Sequence, residues 1–188
     1  EVTKERGAVP NGAQITTMLN RDFFLPIANK PAHRNLKEAA QRLLTTYARE
    51  HQDDLFRVWE VERPFELRLD GITVIGRADV ILDQEGGVPT SLAILDYKTS
   101  TSPDVEHDLQ LQVYANAGRR EGLNVSAAYV HDLKADDRSV VEVSDQAILD
   151  AEAKITAAAA RLRSKRFDPS PGTRCKSCEV RNICNSAT

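Results

Sequence analysis

Asp96 and Lys98 stand two residues apart at the end of a short apolar run, Ile94-Leu95. Side chains alternate across a strand, so residues two apart share a face. Asp79 lies on the preceding predicted strand, which joins theirs through a Gly- and Pro-bearing loop over residues 83–91. A hairpin of that kind brings Asp79 alongside Asp96. Two carboxylates so placed repel unless a divalent cation sits between them. Few hard oxygen ligands, with water completing the shell, suit magnesium or manganese. Such an ion binds a phosphate oxygen and acidifies a water, while a neighbouring lysine stabilises charge on the attacked phosphate or helps orient and deprotonate that water. Gln110, at the start of the next predicted helix, can position the water or Lys98. A lone Asp-x-Lys is common. Charges emerging from a buried strand carry more weight, because burial without purpose is costly.

The elements that must hold these residues follow from periodicity. Helices are predicted from about Gln14 to Leu25 and from His33 to His51, where Leu36, Ala39, Ala40, Leu43, Leu44 and Tyr47 make one stripe. Val58 to Leu69 reads as a strand whose Pro64 marks an edge or a bulge. Asp70-Gly71 is a hairpin turn leading to a second strand, Ile72 to Leu82. Leu92 to Lys98 is a third, apolar until its end, as a central strand should be. A helix from Asp104 to Gly122 carries Leu109, Gln112, Val113 and Ala117 on one side. Strands at Val125–Val130 and Ser139–Val143 precede a long helix capped by Ser144 and running to about Arg166. The order gives an α/β fold with a mixed sheet flanked by helices. It divides into a core, residues 1–166, and a cysteine-bearing tail, residues 167–188.

The bulk properties are compatible with this. The 188 residues suit one domain, and 41% hydrophobic content excludes a disordered chain. No apolar run approaches the ~18 residues of a membrane helix and no signal-peptide pattern opens the chain, so a cytoplasmic protein is expected. The first residue is Glu1 in a charged segment, which reads as a fragment of a longer protein. The net charge of -3 does not announce a nucleic-acid binder. Between Lys154 and Arg181, however, eight Lys or Arg face only Asp168 and Glu179. That is a solvated helix face, and a phosphate-facing patch only if other residues point to DNA.

All three cysteines, Cys175, Cys178 and Cys184, fall in the last 14 residues. An odd count without a secretion signal argues against a disulfide framework. Their proximity, with Pro169, Pro171 and Gly172 bending the approach, suits a thiolate metal site for zinc or iron. Three thiols short of a fourth ligand fit zinc with a histidine, and unligated thiols are the alternative.

The ordered set Gly76-Arg77-Ala78-Asp79-Val80-Ile81, Leu95-Asp96-Tyr97-Lys98-Thr99 and Gln110-Leu111-Gln112-Val113-Tyr114-Ala115 resembles three successive motifs of RecB-type nuclease domains in the PD-(D/E)XK superfamily. Arg63-Pro64-Phe65-Glu66-Leu67 is similar to the strand that precedes them. The resemblance spans roughly residues 33–184. It implies a restriction-endonuclease-like core and hydrolysis of DNA phosphodiester bonds at single-stranded ends. Asp79, Asp96 and the backbone carbonyl of Tyr97 become metal ligands, Lys98 the catalytic lysine, and Gln110 with Tyr114 the Gln-x-x-x-Tyr element. A helicase domain in the same chain or complex is the implied partner, with repair or recombination as the setting.

The family's upstream Gly-x-x-x-His helix is missing. His33 follows Asn29-Lys30-Pro31-Ala32, which marks a helix start or a surface position instead. The ligand histidine is therefore expected before Glu1. His51, His107 and His131 are read as surface or capping residues, although His107 is near enough to Gln110 to line the cleft. The Cys-x2-Cys-x5-Cys tail resembles that of AddB-like and CRISPR-associated RecB-type nucleases. There it implies a [4Fe–4S] cluster, completed by a cysteine also expected upstream, that staples the two ends of the domain. The three sulfurs should then converge on one point. The alternatives are a non-catalytic DNA-binding member of the same fold, or an unrelated iron–sulfur or zinc protein in which the Asp-x-Lys arises by chance.

Overall fold

A computed structural model describes residues 7–26, 29–85, 91–99 and 107–186. The predicted loop over 83–91 and the predicted helix start at Asp104 thus lie partly outside the described residues. Five strands form one sheet in the order β1-β2-β3-β4-β5 (Val58–Leu69, Ile72–Asp83, Leu92–Lys98, Val125–Asp132, Asp137–Val141). β3 and β4 are parallel and the other neighbours antiparallel, so the sheet is mixed. Among the described residues, no helix is long and apolar enough to cross a membrane.

The β1–β2 hairpin turns where the sequence demands it. Asp70 and Gly71 both adopt positive φ, 46° and 76°, the backbone that a tight two-residue turn requires. Pro64 causes no break because β1 is an edge strand, where a missing N–H leaves no ladder bond unmade.

One face of the sheet is covered by α4 (His107–Arg120) and α5 (Asp145–Arg163). Its core joins Phe65 and Leu67 of β1, Ile94 of β3, Leu111 and Ala115 of α4 and Ile148 of α5. α4 is buried on more than the one predicted side: Leu111, Val113, Tyr114, Ala115, Asn116, Ala117 and Gly118 are all buried. This crossover helix lies between the sheet and α5, and Asn116 turns towards α5 to donate to Glu152 at 2.7 Å. Ser144 caps α5 as its sequence predicts, accepting from Ala147 N at 3.3 Å.

The opposite face holds a smaller cluster of Val80, Leu82, Ala93 and Leu95. Near it lie α2 (Lys30–Glu50) and a short helix not anticipated from periodicity, α3 (Gln52–Arg57). α1 (Gly12–Asp22) packs on α2 through Ile15, Leu19 and Ala48. The predicted apolar stripe of α2 is only partly covered. Tyr47 and Ala48 are buried, whereas Leu36 is 52% exposed and Leu44 42%. Helical spacing reports a helix, not a neighbour to cover it.

Candidate active site

In β3 the alternation works as the spacing requires. Leu92 and Ile94 join the core beneath α4, and Ala93, Leu95 and Tyr97 join the opposite cluster. Asp96 and Lys98 therefore rise on the α4 side, and Asp96 Oδ2 lies 2.6 Å from Lys98 Nζ. Asp96 is 3% exposed. Burial pushes its carboxyl above the ordinary range; the Lys98 ammonium opposes that shift, and the Asp79 charge reinforces it.

Asp79 reaches the same place by an irregularity. Along β2, Ile72, Val74 and Ala78 face the α4 layer, and so does Ile81, while Val80 and Leu82 face away. The alternation slips once between Ala78 and Ile81, and Asp79 stands in the slip. Opposite, between the paired Val61 and Arg63, Glu62 takes a left-handed backbone with φ 53°. The β2–β3 ladder runs from Asp83↔Leu92 to Val80↔Leu95. Beyond it, Tyr97 N donates to Asp79 Oδ2 at 2.8 Å, so a side chain replaces the next main-chain partner. The Asp79 charge thus acts on Asp96 where the strands part.

α4 supplies the remaining predicted residues. Gln110 Nε2 donates to the Tyr114 hydroxyl at 3.0 Å and lies 3.5 Å from Asp96 Oδ1. The same hydroxyl accepts from Arg77 N at 3.2 Å, tying α4 to β2. Tyr114 can approach so closely only because position 76 has no side chain. A Cβ on Gly76 would stand 2.3 Å from the tyrosine ring. His107 opens α4; its charge acts on Asp96, and its Nε2 is buried without a hydrogen-bond partner. The structure thus brings Asp79, Asp96, Tyr97, Lys98, Gln110 and Tyr114 together, with His107 beside them.

The donor set fits a hard divalent cation. Two carboxylates stand where β2 and β3 part, and the buried Asp96 Oδ2 has the Lys98 ammonium 2.6 Å away.

Elsewhere His33 and His51 take the helix-start and capping places read for them, and other readings change. His33 lies in the first turn of α2, its ring edge-on to Phe23 at 5.3 Å. Asn29 caps that turn by accepting from Ala32 N at 2.9 Å. His131, expected at the surface or at a cap, is completely buried in β4. Its parity in a strand covered on both faces explains the difference. His51 ends α2 and stacks on Tyr47, with ring centroids 4.9 Å apart. The cysteines occupy two short 3-10 turns, Thr173–Ser177 and Arg181–Ile183 with its flank. Cys178 and Cys184 are exposed, and all three thiols are free. Among the described residues, no group of three ligand atoms within 4.8 Å of one another includes these thiols. Three thiols are one short of a four-thiolate cluster, and no chemistry is derived through one.

A polar network on the α2 side was not foreseen. The Tyr97 hydroxyl donates to Tyr47 Oη at 2.6 Å, and Tyr47 donates to buried Asp54 at 3.1 Å. Arg138 and Arg57 also bond Asp54. Burial pushes the Asp54 carboxyl up, but Arg138, Arg57 and Tyr47 together outweigh it and hold it below the usual range. Burial, with the neighbouring Tyr97 and Asp54, pushes the Tyr47 hydroxyl far above the phenol range. No sequence motif marks these residues; they come from α2, α3, β3 and β5.

A mixed five-stranded sheet with two carboxylates and a lysine where β2 and β3 part defines an α/β fold of the restriction-endonuclease-like kind. The model of the PD-(D/E)XK nuclease superfamily matches residues 11–185, and the chain belongs to that superfamily. Among solved structures, the chain is similar to a candidate exonuclease from Eubacterium rectale, at 15% identity with a TM-score of 0.53. That match covers 96% of this chain and 78% of the other. It is also similar to SSO0001, at 18% identity and a TM-score of 0.47, over 94% of this chain and 95% of that one. No curated protein matches the chain.

Proposed function

We propose that the chain is a metal-dependent DNA phosphodiesterase that trims or degrades DNA ends. The observation that carries this reading is buried Asp96, 2.6 Å from Lys98 and within the field of Asp79 at the parting of β2 and β3. Asp79, Asp96 and the carbonyl of Tyr97 would hold magnesium or manganese. When bound, that ion supplies polarisation of a phosphate oxygen and acidification of water. Lys98 stabilises the negative charge that develops on the attacked phosphate. Gln110 orients the polar groups around Asp96, and Tyr114 acts as a positioning residue by holding Gln110 and β2 together.

Single-stranded ends as substrate, a helicase domain in the same chain or complex, a repair or recombination setting and a cytoplasmic location are parts of the same reading. The first three rest on the motif resemblance, and the location on the lack of a membrane-length apolar run or signal-peptide pattern in the sequence. The chain's net charge of -3 supports a module that relies on a neighbour for much of its grip on DNA. The [4Fe–4S] cluster rests on the resemblance of the Cys-x2-Cys-x5-Cys tail alone, and the three free thiols lend it no support.

The test is cleavage of end-labelled single- and double-stranded DNA with magnesium or manganese. Activity in the parent chain and its loss by at least ~100-fold in Lys98→Ala and Asp96→Ala, with melting curves retained, supports the reading. Cleavage at near-parental rates in either variant refutes it. DNA binding without metal-dependent cleavage in the parent would make the chain a non-catalytic member of its superfamily.

A further inference from the structure

On the face of the sheet away from Asp96, three side chains from three separate places meet. His51 ends α2, His131 lies near the end of β4, and Asp136 sits in the β4–β5 turn with φ 52°. His51 Nε2 is 2.7 Å from Asp136 Oδ1, and His131 Nε2 is 3.5 Å from the same oxygen. One ligand atom from each of the three lies within 4.8 Å of the others. The imidazole rings stand nearly perpendicular, at 80°, with centroids 4.7 Å apart.

His131 is fully buried, yet neither of its ring nitrogens has a hydrogen-bond partner. A neutral imidazole always carries one donor and one acceptor nitrogen, and burial without partners costs free energy. Pairing of His51 with Asp136 leaves that cost in place. A cation at the meeting point of the two Nε2 atoms and Oδ1 uses the lone pair of His131 Nε2 and leaves one nitrogen, not two, to be satisfied.

We propose that His51, His131 and Asp136 form a transition-metal site of the zinc class, separate from the Asp79–Asp96 pair. Two imidazole nitrogens with one carboxylate form a borderline donor set, suited to zinc, cobalt, nickel or ferrous iron and not to magnesium. Bonds of roughly 2.0–2.1 Å in tetrahedral geometry put ligand atoms roughly 3.3–3.5 Å apart. The 3.5 Å separation already meets that figure, and the 2.7 Å one has only to open slightly. Three protein ligands leave one position for water. The ion fastens the end of α2 to β4, beside Tyr47, whose ring packs on both histidines. The inference stands independently of the nuclease reading.

The experiment uses the full chain with Cys175→Ser, Cys178→Ser and Cys184→Ser, so that tail thiols cannot contribute, after treatment with chelator. Zinc is titrated calorimetrically, and cobalt is followed by visible absorption. The expected result is one equivalent bound with micromolar or tighter affinity, a higher melting temperature, and a cobalt spectrum of low-coordinate nitrogen–oxygen ligation. Excess magnesium should not displace zinc. His51→Gln and Asp136→Asn, both at accessible positions, should each weaken zinc at least tenfold, while Asp96→Asn leaves it unchanged. Absence of a bound equivalent, parental affinity in both His51→Gln and Asp136→Asn, or loss of zinc in Asp96→Asn would each overturn the site.

Discussion

Replacing Gly76 by alanine should damage the active site from beneath, without touching any charged residue. The added Cβ would lie 2.3 Å from Tyr114 Cε1, 2.7 Å from its hydroxyl oxygen and 2.9 Å from Cζ. Ordinary contact begins near 3.4 Å, so the ring must retreat by roughly 1 Å. It cannot do so freely, because it is buried and stacked on Phe65 with centroids 5.9 Å apart. Retreat also draws the hydroxyl away from Arg77 N at 3.2 Å and Gln110 Nε2 at 3.0 Å. Overpacking costs about 1–3 kcal/mol and each lost hydrogen bond about 1 kcal/mol, and retreat relieves some of the first while incurring the second. The expected loss of stability is about 2–4 kcal/mol, a fall in melting temperature of roughly 5–15 °C. A cycle of Gly76→Ala, Tyr114→Leu and the double variant, followed by urea unfolding, isolates the contact. The double variant should lose less than the two singles together by at least ~1 kcal/mol. Gly76→Ala within about 0.5 kcal/mol of the parent, or singles that simply add, would refute the argument.

Tyr114→Phe keeps the ring and removes only the hydroxyl; it should cost about 1–2 kcal/mol and lower the cleavage rate while leaving the metal affinity intact, measured by urea unfolding and turnover. Asp54→Asn should cost about 3–5 kcal/mol at neutral pH, because it leaves Arg138 and Arg57 without their buried partner. The folded-state pKa of Asp54 is depressed, so its contribution is complete above the unfolded carboxylate value and disappears as pH falls through the folded one. Melting curves of parent and variant should accordingly converge on acidification; a constant gap would contradict the assignment. Replacing all three cysteines by serine in metal-stripped protein should shift stability by no more than ~0.5 kcal/mol, since all three thiols are free, two exposed and Cys175 only partly buried. Iron in the parent, with visible charge-transfer absorption lost on the same replacement, would instead reinstate the cluster.

The parts of this molecule legible in its sequence are those governed by short-range periodicity. Asp96 and Lys98 share a face because a period of two is obligatory in β3, and the apolar residues before them announced a central strand. Gly76 was visible as part of a motif, but its reason, the ring of Tyr114 on another element, is tertiary. The stripe on α2 correctly marked a helix while giving no sign that Leu36 and Leu44 would remain exposed. His131 was misjudged because a histidine on a strand has no spacing that distinguishes a surface from an interior position. Its partners, His51 and Asp136, belong to distant parts of the chain and assemble only through packing. Asp79 was located by its hairpin, but the slip in alternation that delivers it could not be anticipated from a regular β2.

The bond from Tyr97 N to Asp79 gives that carboxylate two duties, and mutagenesis will separate them. Alanine at position 79 removes a charge and at the same time strands a main-chain amide in a half-buried slot. Asparagine removes the charge but keeps an oxygen for the amide. A chain inactive with alanine and equally inactive, yet as stable as the parent, with asparagine would attribute the chemical loss to charge and the structural loss to the amide. Aspartate-to-alanine scanning alone would merge the two and overstate how much of this residue serves the reaction.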